Sequence, residues 1–348
     1  MYLELNFKNM KQISYVRVSN ETHPFSVGNK IAQANLNLPD LNDYIIIEEI
    51  IDANKTLGLE DVGGEWKYLN EIKRKTYIDA LINNDSKNLV DLFINFFQTN
   101  CGYGIMTPSF SEINLYDLES QILWDLDALL EFSEMEFEDD MLFSSQIGAP
   151  YGLSIGNKII SPDSPRHLYF AQKLLKFNND ILEIGGGYGG LIYFLNKLGF
   201  NNNYYNVDLP ETLYISYYFL RKNNIKCKLV TSDNFQIEKG TVYLIPHFLL
   251  NNIQEKIHFD TFFNANSLSE MDINYVNHYF DIINNKRPKY ILHSNSNFLV
   301  FPNSERHIEV LGKNFPIDHS YYEKNYQCIS PFQGASGRYR EFYYEKKS

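Results

Sequence analysis

Five residues of ILEIGGGYGG and the segment after it have the types and spacing to hold a nucleotide-like ligand: Glu183, Gly185, Gly187, Gly189 and Asp208. Glycines at alternate positions let a backbone turn approach a ligand that any side chain would push away. An acid at the end of the next apolar run, about twenty residues on, can accept hydrogen bonds from ribose hydroxyls. Gly185, Gly187 and Gly190 also satisfy G-x-G-x-x-G, so a dinucleotide and S-adenosylmethionine both fit this pattern. The E-x-G-x-G-x-G reading, with Glu183 two residues before the first glycine, favours S-adenosylmethionine. So does VDLPETL, in which Leu-Pro-Glu follows Asp208.

These residues need a strand, a turn and a helix in that order. From residue 180 onward the chain alternates short apolar runs (DILEIGG, NNYYNVDL, CKLVTSD, TVYLIPHFL, DTFFNANSL, KYILHSNSNF) with amphipathic stretches such as PETLYISYYFLRKNN and DINYVNHYFDIINNK. That texture predicts an α/β fold, a Rossmann-like parallel sheet covered by helices on both faces. QCISPF and GRYREFYYEKK predict a terminal hairpin joining the sheet antiparallel. Residues 1–150 read differently. Apolar residues recur at three- and four-residue spacing over 67–82, 87–100 and 114–137, which predicts a mostly helical N-terminal domain. The Gly-, Pro- and Ser-rich stretch 148–165 predicts a loop and the domain junction, dividing the chain into 1–150 and 151–348. Ser164-Pro165 reads as an N-cap and first helical residue.

Composition narrows the classes. The net charge is -12 over 348 residues, with no basic cluster, which argues against nucleic acid as partner. Three widely spaced cysteines specify neither a zinc motif nor a disulfide framework. The sequence has no signal-peptide pattern and no apolar run long enough to span a membrane, so a cytoplasmic protein without membrane insertion is expected. The 26 Tyr and 25 Phe fit cores better than an aromatic binding surface.

EIGGGYGGL, VDLPETL and NANSLSEMD, in this order and spacing, resemble the bacterial sugar O-methyltransferases over roughly residues 148–345. The resemblance implies a class I methyltransferase sheet, S-adenosylmethionine as donor, and a hydroxyl of a sugar, glycan precursor or sugar nucleotide as acceptor. Methylation of another small metabolite is the alternative. An NAD-dependent oxidoreductase and a non-catalytic scaffold rank lower. The helical half would serve as a lid over the acceptor, a homodimer interface, or both.

In an open α/β sheet the ligand lies across the C-terminal strand ends. There Glu183 would pin the glycine turn near the methionine amino group. Asp208 would hold the ribose, Asp233-Asn234 would meet the adenine, and Asn266 would lie near the sulfonium. Methyl transfer to a hydroxyl needs positioning and a proton acceptor. Glu270 and His293 are the first choices for that base, ahead of His247 and His319. Asn295, His319 and Arg338 would contact the acceptor, with Arg340 beside them. Ser269-x-x-Asp272 also reads as a capping box. No spacing specifies a metal, and no residue is assigned as a metal ligand.

Overall fold

The computed structural model describes residues 2–6, 12–16, 31–60, 64–105, 115–133, 135–136, 139–297, 309–332 and 339–347. Its centre is an eight-stranded sheet. The strands are β6 (Ile181–Ile184), β7 (Tyr204–Asp208), β8 (Cys227–Leu229), β9 (Val242–Pro246), β10 (Thr261–Ala265), β11 (Tyr290–Ser296), β12 (Tyr322–Ile329) and β13 (Tyr339–Lys346). Their spatial order is β12-β13-β11-β10-β6-β7-β9-β8. The six from β11 to β8 run parallel, and β13 joins β11 antiparallel with β12 beside it, which is the expected terminal hairpin.

Strand residues alternate between two apolar cores because successive side chains leave a strand on opposite faces. Ile181, Tyr204, Leu244, Phe263 and Leu292 enter one core, while Leu182, Tyr205, Tyr243, Phe262 and Ile291 enter the other. Both faces are therefore covered, as parallel sheets require. Helices α6 (Ser164–Phe177), α7 (Gly190–Lys197) and α8 (Pro210–Lys222) contribute to the first core. Helices α9 (Leu250–Ile253) and α10 (Ile273–Lys286) contribute to the second. The chain winds outward from β6 to β7, and later returns from β9 to β10 on the other side of β6. The C-terminal ends of β6 and β10 therefore flank a topological switch point, where α/β sheets bind ligands.

The described residues of the N-terminal half contain α1 (Leu41–Leu57), α2 (Gly64–Tyr68), a π-turn (Leu69–Lys73), α3 (Lys75–Ile82), α4 (Ser86–Phe93) and α5 (Leu115–Phe132). Strands β1 (Tyr2–Asn6) and β2 (Gln12–Val16) pair antiparallel with each other.

Two expectations need correction. The stretch 148–165 is no simple loop, because β4 (Tyr151–Ile155) and β5 (Lys158–Ile160) form a hairpin paired with β3 (Ile31–Gln33). Nor does 1–150 form a core of its own. Ile46, Ile50, Leu89, Phe93 and Leu126 share one apolar cluster with Leu168, Leu191, Leu213 and Phe263. Buried polar contacts reinforce the seam. The Asp43 carboxylate at the start of α1 accepts from the Tyr218 hydroxyl at 2.8 Å and pairs with Lys222 at 2.6 Å, both on α8. A further correction concerns the start of α6, whose N-cap is Asp163 rather than Ser164. Among the described residues, no helix is long and apolar enough to cross a membrane.

Candidate active site

Strand β6 ends at Ile184, and the chain turns through glycines in the left-handed region: Gly185 at φ 75°, Gly187 at 57° and Gly189 at 88°. A Cβ on Gly185 would lie 2.2 Å from Ser267 Oγ, and one on Gly186 would lie 2.4 Å from Glu183 Oε2. At Gly187 the nearest atom would be the Ile105 carbonyl oxygen at 3.7 Å. The turn is thus packed tightly at Gly185 and Gly186, while a Cβ on Gly187 would only reach ordinary van der Waals contact with Ile105.

Three side chains on one face of β7 hold this turn, because residues i, i+2 and i+4 of a strand point the same way. The Tyr204 hydroxyl donates to Glu183 Oε2 at 2.8 Å. Asn206 Oδ1 accepts from the Gly186 N–H at 3.2 Å. Asp208 Oδ2 accepts from the Gly187 N–H at 3.0 Å, and its Oδ1 accepts from the Leu209 N–H at 2.8 Å. Glu183 is buried, and burial pushes its carboxyl up to about 8. Loss of water around Asp208 likewise pushes it up to about 7, against the pull of its two backbone N–H donors. Tyr204 and Asn206 carry no motif, although their period-two spacing back from Asp208 was a usable signal.

A second polar network closes the turn from the side of β10 and β11. Asn264 Nδ2 donates to the Ile184 carbonyl at 2.7 Å and to Ser267 Oγ at 2.6 Å. The fully buried Asn295 donates through Nδ2 to Asn264 Oδ1 at 2.7 Å, and its Oδ1 accepts from the Ser269 N–H at 3.2 Å. Asn295 therefore positions strand ends rather than facing an acceptor, because both ends of its amide are engaged inside the protein. Asn266 sits at φ 65°, a left-handed conformation uncommon outside glycine. Its N–H donates to the Ser294 carbonyl at 2.8 Å, which turns the chain out of β10 beside the glycines. Half-buried Glu270 ends the short 3-10 turn Leu268–Glu270 at the same rim. Ser269 does not cap the next helix; Asp272 does, accepting from the Asn274 N–H at 2.8 Å.

Other expected site residues lie elsewhere. His293 is wholly buried, stacked on Phe342 at 4.6 Å between centroids and beside Phe315 at 4.9 Å. Neither ring nitrogen has a hydrogen-bond partner, and burial lowers its pKa to about 3. A neutral imidazole inside an apolar core cannot reach an acceptor hydroxyl. Its position in β11 faces the core rather than the rim, which corrects the expectation of a base there. His319 is exposed, its carbonyl accepts from Lys347 Nζ at 2.8 Å, and it precedes β12. Tyr322 of β12 aligns with Lys346, near the start of β11, so His319 lies at the end of the sheet opposite the glycine turn. Arg338 lies outside the described residues. Arg340 aligns with Asn295 at the rim end of β11.

Asp233 is exposed after the edge strand β8, two strands out from β7, because β9 has inserted between them. The residues flanking Asp208 are therefore those ending β9, where Pro246 aligns with Asp208 and His247 follows. His247 Nε2 lies 3.1 Å from Glu60 Oε2, and its ring lies 6.3 Å from that of Tyr275. Burial lowers the His247 pKa. Among the described residues, no cluster of three or more His, Cys, Asp or Glu could hold a metal ion.

No family model matches the sequence, and no curated protein matches it. Solved structures do show similarity. The methyltransferase domain of bacterial CtHen1 is 16% identical, covering 52% of this chain and 97% of that one, with a TM-score of 0.38. An S-adenosylmethionine-dependent methyltransferase from Clostridium acetobutylicum is 12% identical, covering 51% and 89%, with a TM-score of 0.35. The mitomycin 7-O-methyltransferase MmcR is 14% identical, covering 53% and 56%, also at 0.35.

Proposed function

We propose that the protein is an S-adenosylmethionine-dependent O-methyltransferase whose acceptor is a hydroxyl of a sugar, glycan precursor or sugar nucleotide. The observation that carries the donor assignment is the bond from the Gly187 N–H to Asp208, beneath a turn of left-handed glycines. It puts a carboxylate beside Gly187, the residue of the turn with most room, at the switch point of the sheet. A carboxylate offers about four acceptor positions. Two face the N–H groups of Gly187 and Leu209, which leaves two for a ribose diol.

The donor supplies an activated methyl group, and the protein's task is to orient it and receive a proton. The strand order gives the direction. With ribose at β7, the end of β9 with His247 lies toward the base. The rim of β10 with Asn266 and Glu270 lies toward the transferable methyl. We assign Asn266 and Gly185–Gly189 to the methionine portion and Glu270 to proton acceptance. Asp233 has no role in this reading. The sugar acceptor rests on the resemblance of NANSLSEMD and VDLPETL alone.

The test is a side-by-side titration of purified protein with S-adenosylhomocysteine and NADH, followed by thermal melts. A ligand that binds only the folded state raises the melting temperature. S-adenosylhomocysteine should do so and NADH should not. The reverse result would overturn the donor assignment. Radiolabelled methyl transfer to a panel of sugar nucleotides and phenolic metabolites then tests the acceptor.

A further inference from the structure

One stretch of the N-terminal layer reaches the glycine turn itself. Phe96 and Phe97, just after α4, pack on Tyr188 at 6.0 and 5.1 Å between ring centroids. All three side chains are buried. Further along the same stretch, Ile105 stands beside Gly187. A Cβ on that glycine would lie 3.7 Å from the Ile105 carbonyl oxygen and 3.8 Å from the Ile105 Cβ. Two successive residues of the turn, Gly187 and Tyr188, thus meet residues 96–105. Gly187 is also the residue whose N–H is held by Asp208 at 3.0 Å.

That stretch is clamped in place. The Tyr103 N–H donates to the Asn100 carbonyl at 3.2 Å, and the Ile105 N–H to the Gly102 carbonyl at 3.3 Å. The π-turn Leu69–Lys73 and the Arg74 that follows it grip the same residues from outside. Fully buried Arg74 donates through Nε to the Cys101 carbonyl at 3.1 Å. The Lys73 ammonium lies 5.1 Å from the centroid of the Tyr103 ring. Leu69 stands against Gly104, where a Cβ would come within 2.7 Å of Leu69 Cδ1. Such π-turns are frequent at functional sites. The same segment also holds the start of α8. Asn70 Nδ2 donates to Glu211 Oε1 at 2.7 Å, and the Tyr77 hydroxyl donates to the Glu211 carbonyl at 2.6 Å. One anchor therefore fixes both residues 101–105 and the helix start just past Asp208.

We infer that residues 101–105 form a fixed wall of the donor site, and that Ile105 is a donor-contacting residue supplied by the N-terminal layer. The identity of the ligand rests on the donor assignment above; the packing of Ile105 beside the turn does not. A ligand laid along Gly185–Gly189 and held by Asp208 has half-buried Ile105 as its neighbour at Gly187. Two effects follow. A wall ordered before binding lowers the entropy lost on binding. An apolar side chain at the turn keeps water from the hydrogen bonds to Asp208, and excluding water strengthens them.

The experiment compares Ile105→Ala, Gly104→Ala and Gly199→Ala with wild type, all as full-length protein, by calorimetric titration with S-adenosylhomocysteine. Gly104 and Gly199 make a matched pair at φ 87° and 84°, so alanine strains the backbone alike in both. Gly199 lies beyond the C-terminal end of α7, with nothing within 4 Å of its Cβ position. Ile105→Ala and Gly104→Ala should each weaken binding about tenfold, roughly the value of two buried methylene groups. Gly199→Ala should bind as wild type does. An unchanged affinity in Ile105→Ala, or an equal loss in Gly199→Ala, would overturn the inference. Should Gly104→Ala fail to fold, Ile105→Ala against Gly199→Ala decides. A second readout needs no ligand: exchange of the Gly187 amide proton should quicken in Ile105→Ala and stay unchanged in Gly199→Ala. Wild type that fails to bind S-adenosylhomocysteine removes the donor assignment. In that case a quickened Gly187 exchange keeps Ile105 as a wall of this turn, and an unaltered rate overturns the wall as well.

Discussion

Asp208 Oδ2 accepts the Gly187 N–H at 3.0 Å, so the acid ending β7 and the turn ending β6 form one unit. Its carboxyl is pushed up to about 7. The protonated form gives up acceptor capacity, so binding that depends on two ribose hydroxyls weakens as pH falls through 7. Calorimetric titration with S-adenosylhomocysteine should show affinity dropping about tenfold per pH unit below that point. Asp208→Asn should bind at least about tenfold more weakly at pH 8, the value of a charged hydrogen bond or more. Its affinity should no longer depend on pH in this range. A mutant that keeps the wild-type slope would remove Asp208 from the ribose site.

Stability should carry the same signature. Asp208 and Glu183 have folded pKa values near 7 and 8, above their unfolded values. Between roughly pH 4.5 and those values the folded state holds protons that the unfolded state has released, so these acids favour folding less as pH rises. His293 and His167 are lowered to about 3 and 4 by burial. Their contribution is complete above the unfolded pKa near 6.5 and is lost as pH falls below it. The two pairs oppose each other between about pH 4.5 and 6.5, and only the acids act above. Urea midpoints should therefore be level in the first window and fall from about pH 6.5 to 8. Glu183→Gln should flatten that decline.

Gly185→Ala should be among the most damaging single-methyl additions in this chain. The new Cβ would stand 2.2 Å from Ser267 Oγ at a backbone φ of 75°. The loss should be about 2–4 kcal/mol, combining backbone strain with a clash. Gly187→Ala meets no atom closer than 3.7 Å and should cost about 1–2 kcal/mol from φ alone. It should nevertheless impair donor binding more than its stability loss suggests. Chemical denaturation and calorimetry on the pair separate the two effects.

Asn295→Leu should lower stability by about 2–4 kcal/mol, because it leaves Asn264 Oδ1 and the Ser269 N–H buried without their present partners. The damage should travel to the glycine turn through Asn264, which holds the Ile184 carbonyl. Donor affinity should fall although Asn295 touches no ligand in this reading. An unaltered affinity in a destabilised variant would show the network to be purely structural.

His293→Leu tests the opposite idea. Both nitrogens of the wild-type ring are buried without hydrogen bonds, so an apolar side chain should be tolerated and should gain about 1 kcal/mol. Turnover and its pH profile should be unchanged. Glu270→Gln should slow turnover while leaving donor affinity intact. A fall in turnover with His293→Leu at unchanged stability would return that histidine to the chemistry.

The alternating glycines, the acid at Asp208 and the strand–helix rhythm after residue 180 were legible because each is a local rule: left-handed turns need glycine, and buried strands need apolar runs. The terminal hairpin was legible for the same reason. The place of β9 was not, because nothing in VYLIP says which neighbour it pairs with. That one ordering moved Asp233 to the edge and brought His247 beside Asp208. His293 misled because a histidine near a strand end reads the same whether it faces the rim or the core. Parity along the strand decides, and Phe342 and Phe315 supply the core side only after folding.

The edges of the eight-stranded sheet resist the addition of a further strand. Strand β8 is only three residues long, and its Lys228 and the adjacent Lys226 pair with Glu238. At the far end, β12 is longer but carries Glu323 and Lys324 and has a register irregularity between Lys324 and Tyr326. Short length, edge lysines and bulges all oppose the addition of a foreign strand. Among the described residues, both borders of the eight-stranded sheet are thus guarded against templated stacking.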